Sequence, residues 1–137
     1  MGIIINPYIV APAESYFTVG TMSGSVTLDA ETGWQTKTTQ SWGDERQINK
    51  FRIQGTYSMD SAVKGTFFRI MTTYNEQLGS QIAIPQGTTA GTAFDTGEIS
   101  FTEKTAAGVY LQMWKELLYA PYPTAVLSCD TNQIWEA

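Results

Sequence analysis

The stretch that decides the fold runs over residues 50–59 and reads Lys50-Phe51-Arg52-Ile53-Gln54-Gly55-Thr56-Tyr57-Ser58-Met59. Apolar side chains occupy every second position except Gly55, and the residues between them are polar or charged. Successive side chains of a β-strand point to opposite faces of the sheet, so this alternation predicts a strand with one buried and one solvated face.

Other segments carry a similar signal. Shorter alternating runs occur at 25–29 and 98–102, and the run 66–74 is apolar on both sides, which predicts a central strand or one that faces a partner. Further strands are predicted at residues 16–22, 34–42, 108–117 and 124–129, with weaker ones at 3–10 and 81–84. Residues 108–120 also fit a helical stripe, but the β-forming residues at its start favour a strand.

Glycine-containing turn signals separate these segments, among them residues 42–44, 107–108 and a Gly/Thr/Ala-rich loop at 86–96. Turns at such short intervals are typical of an all-β fold. We therefore predict one domain spanning residues 1–137, an antiparallel β-sandwich of jelly-roll type with about eight to ten strands, in which residues 1–12 are a candidate N-terminal arm. The predicted core consists of Phe51, Ile53, Tyr57, Phe68, Ile70, Ile99, Phe101, Leu111, Met113, Val126 and Leu127.

The charge distribution excludes some classes of partner. The net charge is −5, and the eight basic residues are scattered except between Arg46 and Arg52. Binding to nucleic acid or to an anionic membrane requires a basic surface, so we expect neither. No apolar run approaches the roughly 18 residues of a membrane-spanning helix.

The sequence also lacks histidine, which removes the Ser-His-Asp and Cys-His catalytic arrangements and histidine-ligated zinc. Cys129 lies in an apolar run and is predicted to be a buried thiol. We expect no enzymatic activity and no cofactor. Two alternatives remain open: calcium binding by Asp29, Glu31 and the pair Asp44 and Glu45, and a carboxylate-only glycosidase drawing on Asp44, Glu45, Asp95, Glu98, Glu103 and Glu116.

Aromatic residues give the candidate site. Trp34 and Trp42 share strand parity with Thr36, Thr38 and Gln40, and the candidate binding or interface residues are Trp34, Trp42, Tyr110, Gln112 and Trp114. Aromatic planes beside an amide suit the flat face of a sugar ring, and they also suit a protein interface. A third interpretation is that these rings complete the core.

The opening Gly2-Ile3-Ile4-Ile5-Asn6-Pro7-Tyr8-Ile9-Val10-Ala11-Pro12 resembles the starts of small virion proteins of tailed bacteriophages. This resemblance implies a β-sandwich or jelly-roll protein of the virion, either a capsid cement or decoration protein or a tail or fibre module. It implies contacts with other virion proteins, such as the major capsid protein or tail components, and assembly as a homo-oligomer, with a trimer favoured. The alternative is a carbohydrate-binding module or a tail adhesin that recognises host-surface glycans.

Overall fold

The computed structural model describes residues 15–59, 66–85, 90–115 and 122–137. Within these ranges the predicted all-β, antiparallel class is confirmed. The candidate arm at 1–12 and the weak strand at 3–10 lie outside the described residues. The eight strands are β1 Tyr16–Val19, β2 Met22–Thr27, β3 Gly33–Met59, β4 Thr66–Thr72, β5 Gln77–Ile84, β6 Thr92–Asp95, β7 Ile99–Lys115 and β8 Thr124–Glu136.

The long strand β3 organises the sheet. Over residues 33–51 it pairs with β7, and over residues 48–59 it pairs with β8. The described strands form one hydrogen-bonded sheet in the order β1-β8-β3-β7-β4-β5, with β2 added to β8 and β6 added to β3. Two separate sheets were predicted, whereas these strands belong to one, and the jelly-roll arrangement stays a prediction.

The sheet curls so that β2 meets the first half of β3. Although β2 pairs with β8, the Ser23 amide donates to Thr38 Oγ1 over 3.1 Å, and Thr38 Oγ1 donates to the Ser23 carbonyl over 2.6 Å. Gln40 Nε2 likewise donates to the Thr21 carbonyl over 3.0 Å. Because β8 pairs with the second half of β3, β2 is connected to both halves of that strand, to one through β8 and to the other through these side-chain bonds.

Several predicted turns, among them those at 42–44 and 107–108, are wrong because the strands continue through them. From Ser41 to Arg46, β3 advances five residues while β7 advances two from Gly108 to Ala106. The extra residues form a bulge, which Gly43 accommodates with a φ of 93° that few other residues adopt. Gly108 permits the close approach of β3, since a Cβ there would lie 2.7 Å from the Gln40 carbonyl oxygen.

The loop predicted at 86–96 contains the short strand β6. Phe94, the aromatic residue of this segment, packs against the rings of Tyr57 and Phe68 at centroid distances of 6.2 and 5.9 Å. Partial burial of this one large side chain stabilises β6, in a segment whose composition is otherwise that of a turn.

The predicted core is confirmed in most positions, and Phe51, Ile53, Phe68, Ile70, Leu111, Met113 and Leu127 are buried. Tyr57, Ile99 and Phe101 are partly buried against it. The predicted burial of Val126 is wrong, because 44% of its surface is exposed. Its neighbours Ala125 and Leu127 point inward, and the alternation of β8 therefore turns Val126 outward.

Replacing Gly55 is expected to destabilise the fold by about 1–3 kcal/mol or more. At this position the register of β3 against β8 shifts, and a Cβ on Gly55 would lie 1.8 Å from the Ser128 carbonyl oxygen. Urea unfolding of Gly55→Ala should show a lower midpoint than the parent protein. Gly20→Ala is the matched control, because the atoms nearest to a Cβ there belong to the side chain of Gln40 and not to the backbone, so the expected loss is limited to the Gln40–Thr21 hydrogen bond. Equal midpoints for the two variants would contradict the proposed close contact.

Candidate functional site

The outer surface of β3, β7 and β4 carries most of the predicted site residues. On β7 the half-buried residues Tyr110, Gln112 and Trp114 alternate with the buried Val109, Leu111 and Met113, as the sequence pattern predicted. The register places Trp34 of β3 opposite Trp114 and Thr36 opposite Gln112. We call the surface formed by Trp34, Thr36, Arg69, Tyr110, Gln112 and Trp114 the aromatic–amide face.

A stacked arginine lies at the centre of this face. The rings of Trp34 and Trp114 meet edge to face, with centroids 5.3 Å apart and an interplanar angle of 66°. The guanidinium carbon of Arg69 on β4 lies 4.1 Å from the Trp34 ring centroid. A cation over an indole ring contributes about 0.5 to 2 kcal/mol, depending on its exposure. Arg69 is not among the residues predicted from the sequence, although a lone charge within the apolar run 66–74 was a usable signal.

Hydrogen bonds connect the polar side chains of this face across four strands. Gln112 Nε2 donates to Thr36 Oγ1 over 3.1 Å, and Gln112 Oε1 accepts from Arg69 Nε over 2.8 Å. Arg69 Nη1 donates to Gln77 Oε1 over 3.1 Å, and Gln77 Nε2 donates to the Gly79 carbonyl over 2.9 Å. This row fixes both the amides and the guanidinium in one orientation.

The remaining predicted residues take two different positions. Tyr110 stays on the face, and its hydroxyl donates to Asn75 Oδ1 over 2.8 Å. Trp42 does not lie on this face, because β3 gains one residue relative to β7 between Thr36 and Thr39. The ring of Trp42 instead packs edge-on against Phe17 at 5.0 Å, and its Nε1 donates to the Ala106 carbonyl. The predicted shared parity of Trp34 and Trp42 is therefore lost at a bulge.

A second feature is an apolar cleft of about 310 Å³ between β5 and β6. These two strands follow each other in the chain, yet β5 pairs with β4 and β6 pairs with β3. The cleft lies where their edges face each other. Its lining consists of Tyr57, Phe68, Ile82, Ala83, Ile84, Pro85, Ala93, Phe94, Asp95, Thr96 and Leu127.

The described carboxylates are engaged in surface contacts. Asp95 accepts from Arg52 Nη2 over 2.6 Å and from Nε over 3.0 Å, and this pairing lowers the pKa of the Asp95 carboxyl. Glu45 accepts from the Tyr74 hydroxyl, while Asp44 and Glu98 lie within 4 Å of basic groups. Glu103 is exposed, and Glu116 lies outside the described residues. A general acid of a glycosidase needs a raised pKa, which Asp95 does not have.

Asp29 and Glu31, considered above as calcium ligands, both contact the ammonium group of Lys115, at 2.9 and 3.2 Å. The hydrogen bond from Lys115 lowers the pKa of Asp29, and the same contact raises the pKa of Lys115. Among the described residues no three His, Cys, Asp or Glu side chains group together as metal ligands. Nor do those residues include a helix long and apolar enough to cross a membrane.

No protein-family model matches this chain, and no curated protein matches it. It is similar to a solved structure of infectious bursal disease virus, Gx strain, with a TM-score of 0.42 and 11% identity, covering 98% of this chain and 36% of that one. A structure of the Gt strain matches with a TM-score of 0.32 and 9% identity, covering 99% and 45%. The chain thus spans less than half the length of either viral chain, and a likeness of this degree says nothing by itself about activity or partners.

The thiol of Cys129 is expected to be inert in the folded protein. Burial, and secondarily the charge of Asp130, raises the pKa of Cys129 to about 12, so the thiolate is scarce at neutral pH. A disulfide reagent such as dithionitrobenzoate should leave native protein unmodified at pH 8 and should titrate one thiol after unfolding in guanidinium chloride. Val126→Cys, on the exposed face of the same strand, is the positive control and should react at once. Rapid reaction of native Cys129 would show that the thiol is accessible.

Proposed function

We propose that this chain is a non-enzymatic structural protein of a bacteriophage virion, most specifically a capsid cement or decoration protein that stabilises the particle through subunit contacts. The observation that carries this proposal is the open apolar cleft between β5 and β6. The absence of histidine and the high pKa of Cys129 also support a role in binding over one in catalysis.

The cleft has the properties of a site for an extended peptide. In the strand order of the sheet, β5 is the last strand on its side, and its sequence QLGSQIAI contains no charged residue to discourage pairing. Edge strands of this kind accept an added strand, with backbone hydrogen bonds giving affinity and apolar pockets giving selectivity. The partly buried side chains of Ile82 and Phe94 provide apolar contact on the two sides of the cleft.

A second copy of the chain provides a segment of matching chemistry. Residues 1–12 include the apolar residues Ile3 to Ile5 and Ile9 to Val10, with Pro7 and Pro12 disfavouring a helix. We propose that this arm binds the cleft of a neighbouring subunit. Identical subunits joined in this head-to-tail way form a closed ring when the rotation between neighbours closes, and the resemblance to phage virion proteins favours a ring of three.

Light scattering coupled to size exclusion should therefore report a mass about three times 15.1 kDa at micromolar concentration. Ala83 is exposed and lines the cleft. Ala83→Glu should therefore convert the trimer to a monomer, because it places a charge among the apolar contacts between subunits. Deletion of residues 1–11 should have the same effect.

Ser80→Glu is the control for added charge, because Ser80 is exposed on the same strand but does not line the cleft. It should leave the trimer intact. A monomeric parent protein, or a trimer that survives both the deletion and Ala83→Glu, would refute the arm-and-cleft assembly.

The virion role itself is tested by quantitative mass spectrometry of purified phage particles. Many copies per particle are expected for a cement or decoration protein, whereas a few copies would assign the chain to a tail or fibre. Particles that contain none of it would overturn the proposal.

A second candidate function is recognition of host-surface glycans by the same class of virion protein. The arrangement of Trp34, Trp114 and Gln112 on one solvent-facing surface favours it, because aromatic planes beside fixed amides are suited to sugar rings. This function uses the aromatic–amide face and leaves the cleft free for assembly.

A further inference from the structure

Arg69 differs from the other described arginines because its hydrogen-bond partners are neutral. Arg46 lies within 3.5 Å of Asp44 and 3.3 Å of Glu136, and Arg52 is paired with Asp95. In the part of the chain that the structure describes, Arg69 donates only to the neutral amide oxygens of Gln112 and Gln77. Among the described residues no carboxylate pairs with this positive charge, although the net charge of the protein is −5.

The guanidinium of Arg69 is also held in a fixed orientation. Nε and Nη1 each donate to one amide oxygen, and the guanidinium carbon lies over the Trp34 ring. The two N–H groups of Nη2 and the second N–H of Nη1 have no acceptor among the described residues. Neighbouring N–H groups on Nη1 and Nη2 match the two oxygens of a carboxylate, and a guanidinium already fixed in place loses little entropy when it binds one.

The surroundings of Arg69 indicate which molecule carries the carboxylate. Because the guanidinium covers one side of Trp34, the half-buried ring of Trp114 beside it is the aromatic surface left for a ligand. Neutral hydrogen-bonding groups of Thr36 and Gln112 adjoin both rings. Aromatic surface, neutral polar groups and one fixed cation together match a sugar ring bearing a carboxylate.

We propose that Arg69 and Trp114 form a binding site for acidic sugars, in which a uronic acid or a similar sugar acid places its carboxylate on Arg69 and its ring against Trp114. This inference rests on the second candidate function, glycan recognition, and specifies the class of glycan. It does not depend on assembly through the cleft.

Calorimetric titration with a galacturonic acid trisaccharide and with the corresponding neutral galactose trisaccharide tests this selectivity, since the two differ only in the carboxylate. The parent protein should bind the acidic sugar at least about tenfold more tightly, as expected for a hydrogen-bonded charge pair. Arg69→Met should remove this difference in affinity. Arg69→Lys keeps the charge but loses the two neighbouring N–H donors of the guanidinium, and it should retain part of the difference. Trp114→Ala should weaken the binding of both sugars.

Arg46→Met is the matched control, because Arg46 also lies over an aromatic ring, that of Phe17 at 4.6 Å, and its loss changes the net charge equally. Its binding should equal that of the parent, and circular dichroism should verify the fold of each variant. Equal affinity for both sugars would preserve glycan recognition and refute the role of Arg69. If Arg46→Met also lost the preference for the acidic sugar, that preference would come from the net charge of the protein, and the proposed role of Arg69 would likewise be refuted. Binding of neither sugar would overturn the site.

Discussion

The structure depends on continuous backbone pairing along β3, a strand of 27 residues. Its first half hydrogen-bonds to β7 and its second half to β8, so one strand connects the two sides of the sheet. Strands of this length twist and bend, and here the bend brings β2 against Thr38 and Gln40 of the same strand. The buried core, from Met22 on β2 to Met113 on β7, is enclosed by this bend.

Irregularities in the pairing decide which side chains reach each surface. One additional residue between Thr36 and Thr39 moves Trp42 off the face that carries Trp34, and the larger bulge around Gly43 seats it against Phe17. Since side chains alternate with a period of two, a bulge of one residue reverses the side-chain direction of the positions that follow it, up to the next bulge. The register of strand pairing, and the bulges that shift it, therefore decide which side chains lie on the aromatic–amide face.

The two candidate surfaces are chemically distinct and have no residue in common. The cleft between β5 and β6 is apolar and bordered by strand edges, which suits an extended segment of a protein partner. The aromatic–amide face is a row of fixed amides and a stacked cation, which suits a small polar ligand. The assembly proposed for the cleft and the glycan binding proposed for the face would therefore use different residues.

The sequence by itself determined the all-β class, the inward side of strands such as 50–59, and the grouping of Tyr110, Gln112 and Trp114, because alternation is a local property of the backbone. Only the tertiary structure decided that 34–42 and 50–59 belong to one strand, that Arg69 stacks on Trp34, and that β5 and β6 leave a cleft between them. These features depend on pairing between residues far apart in the chain. The register of that pairing shifts at bulges, and although the bulge at Gly43 coincides with a turn signal in the sequence, the one between Thr36 and Thr39 contains no glycine to mark it.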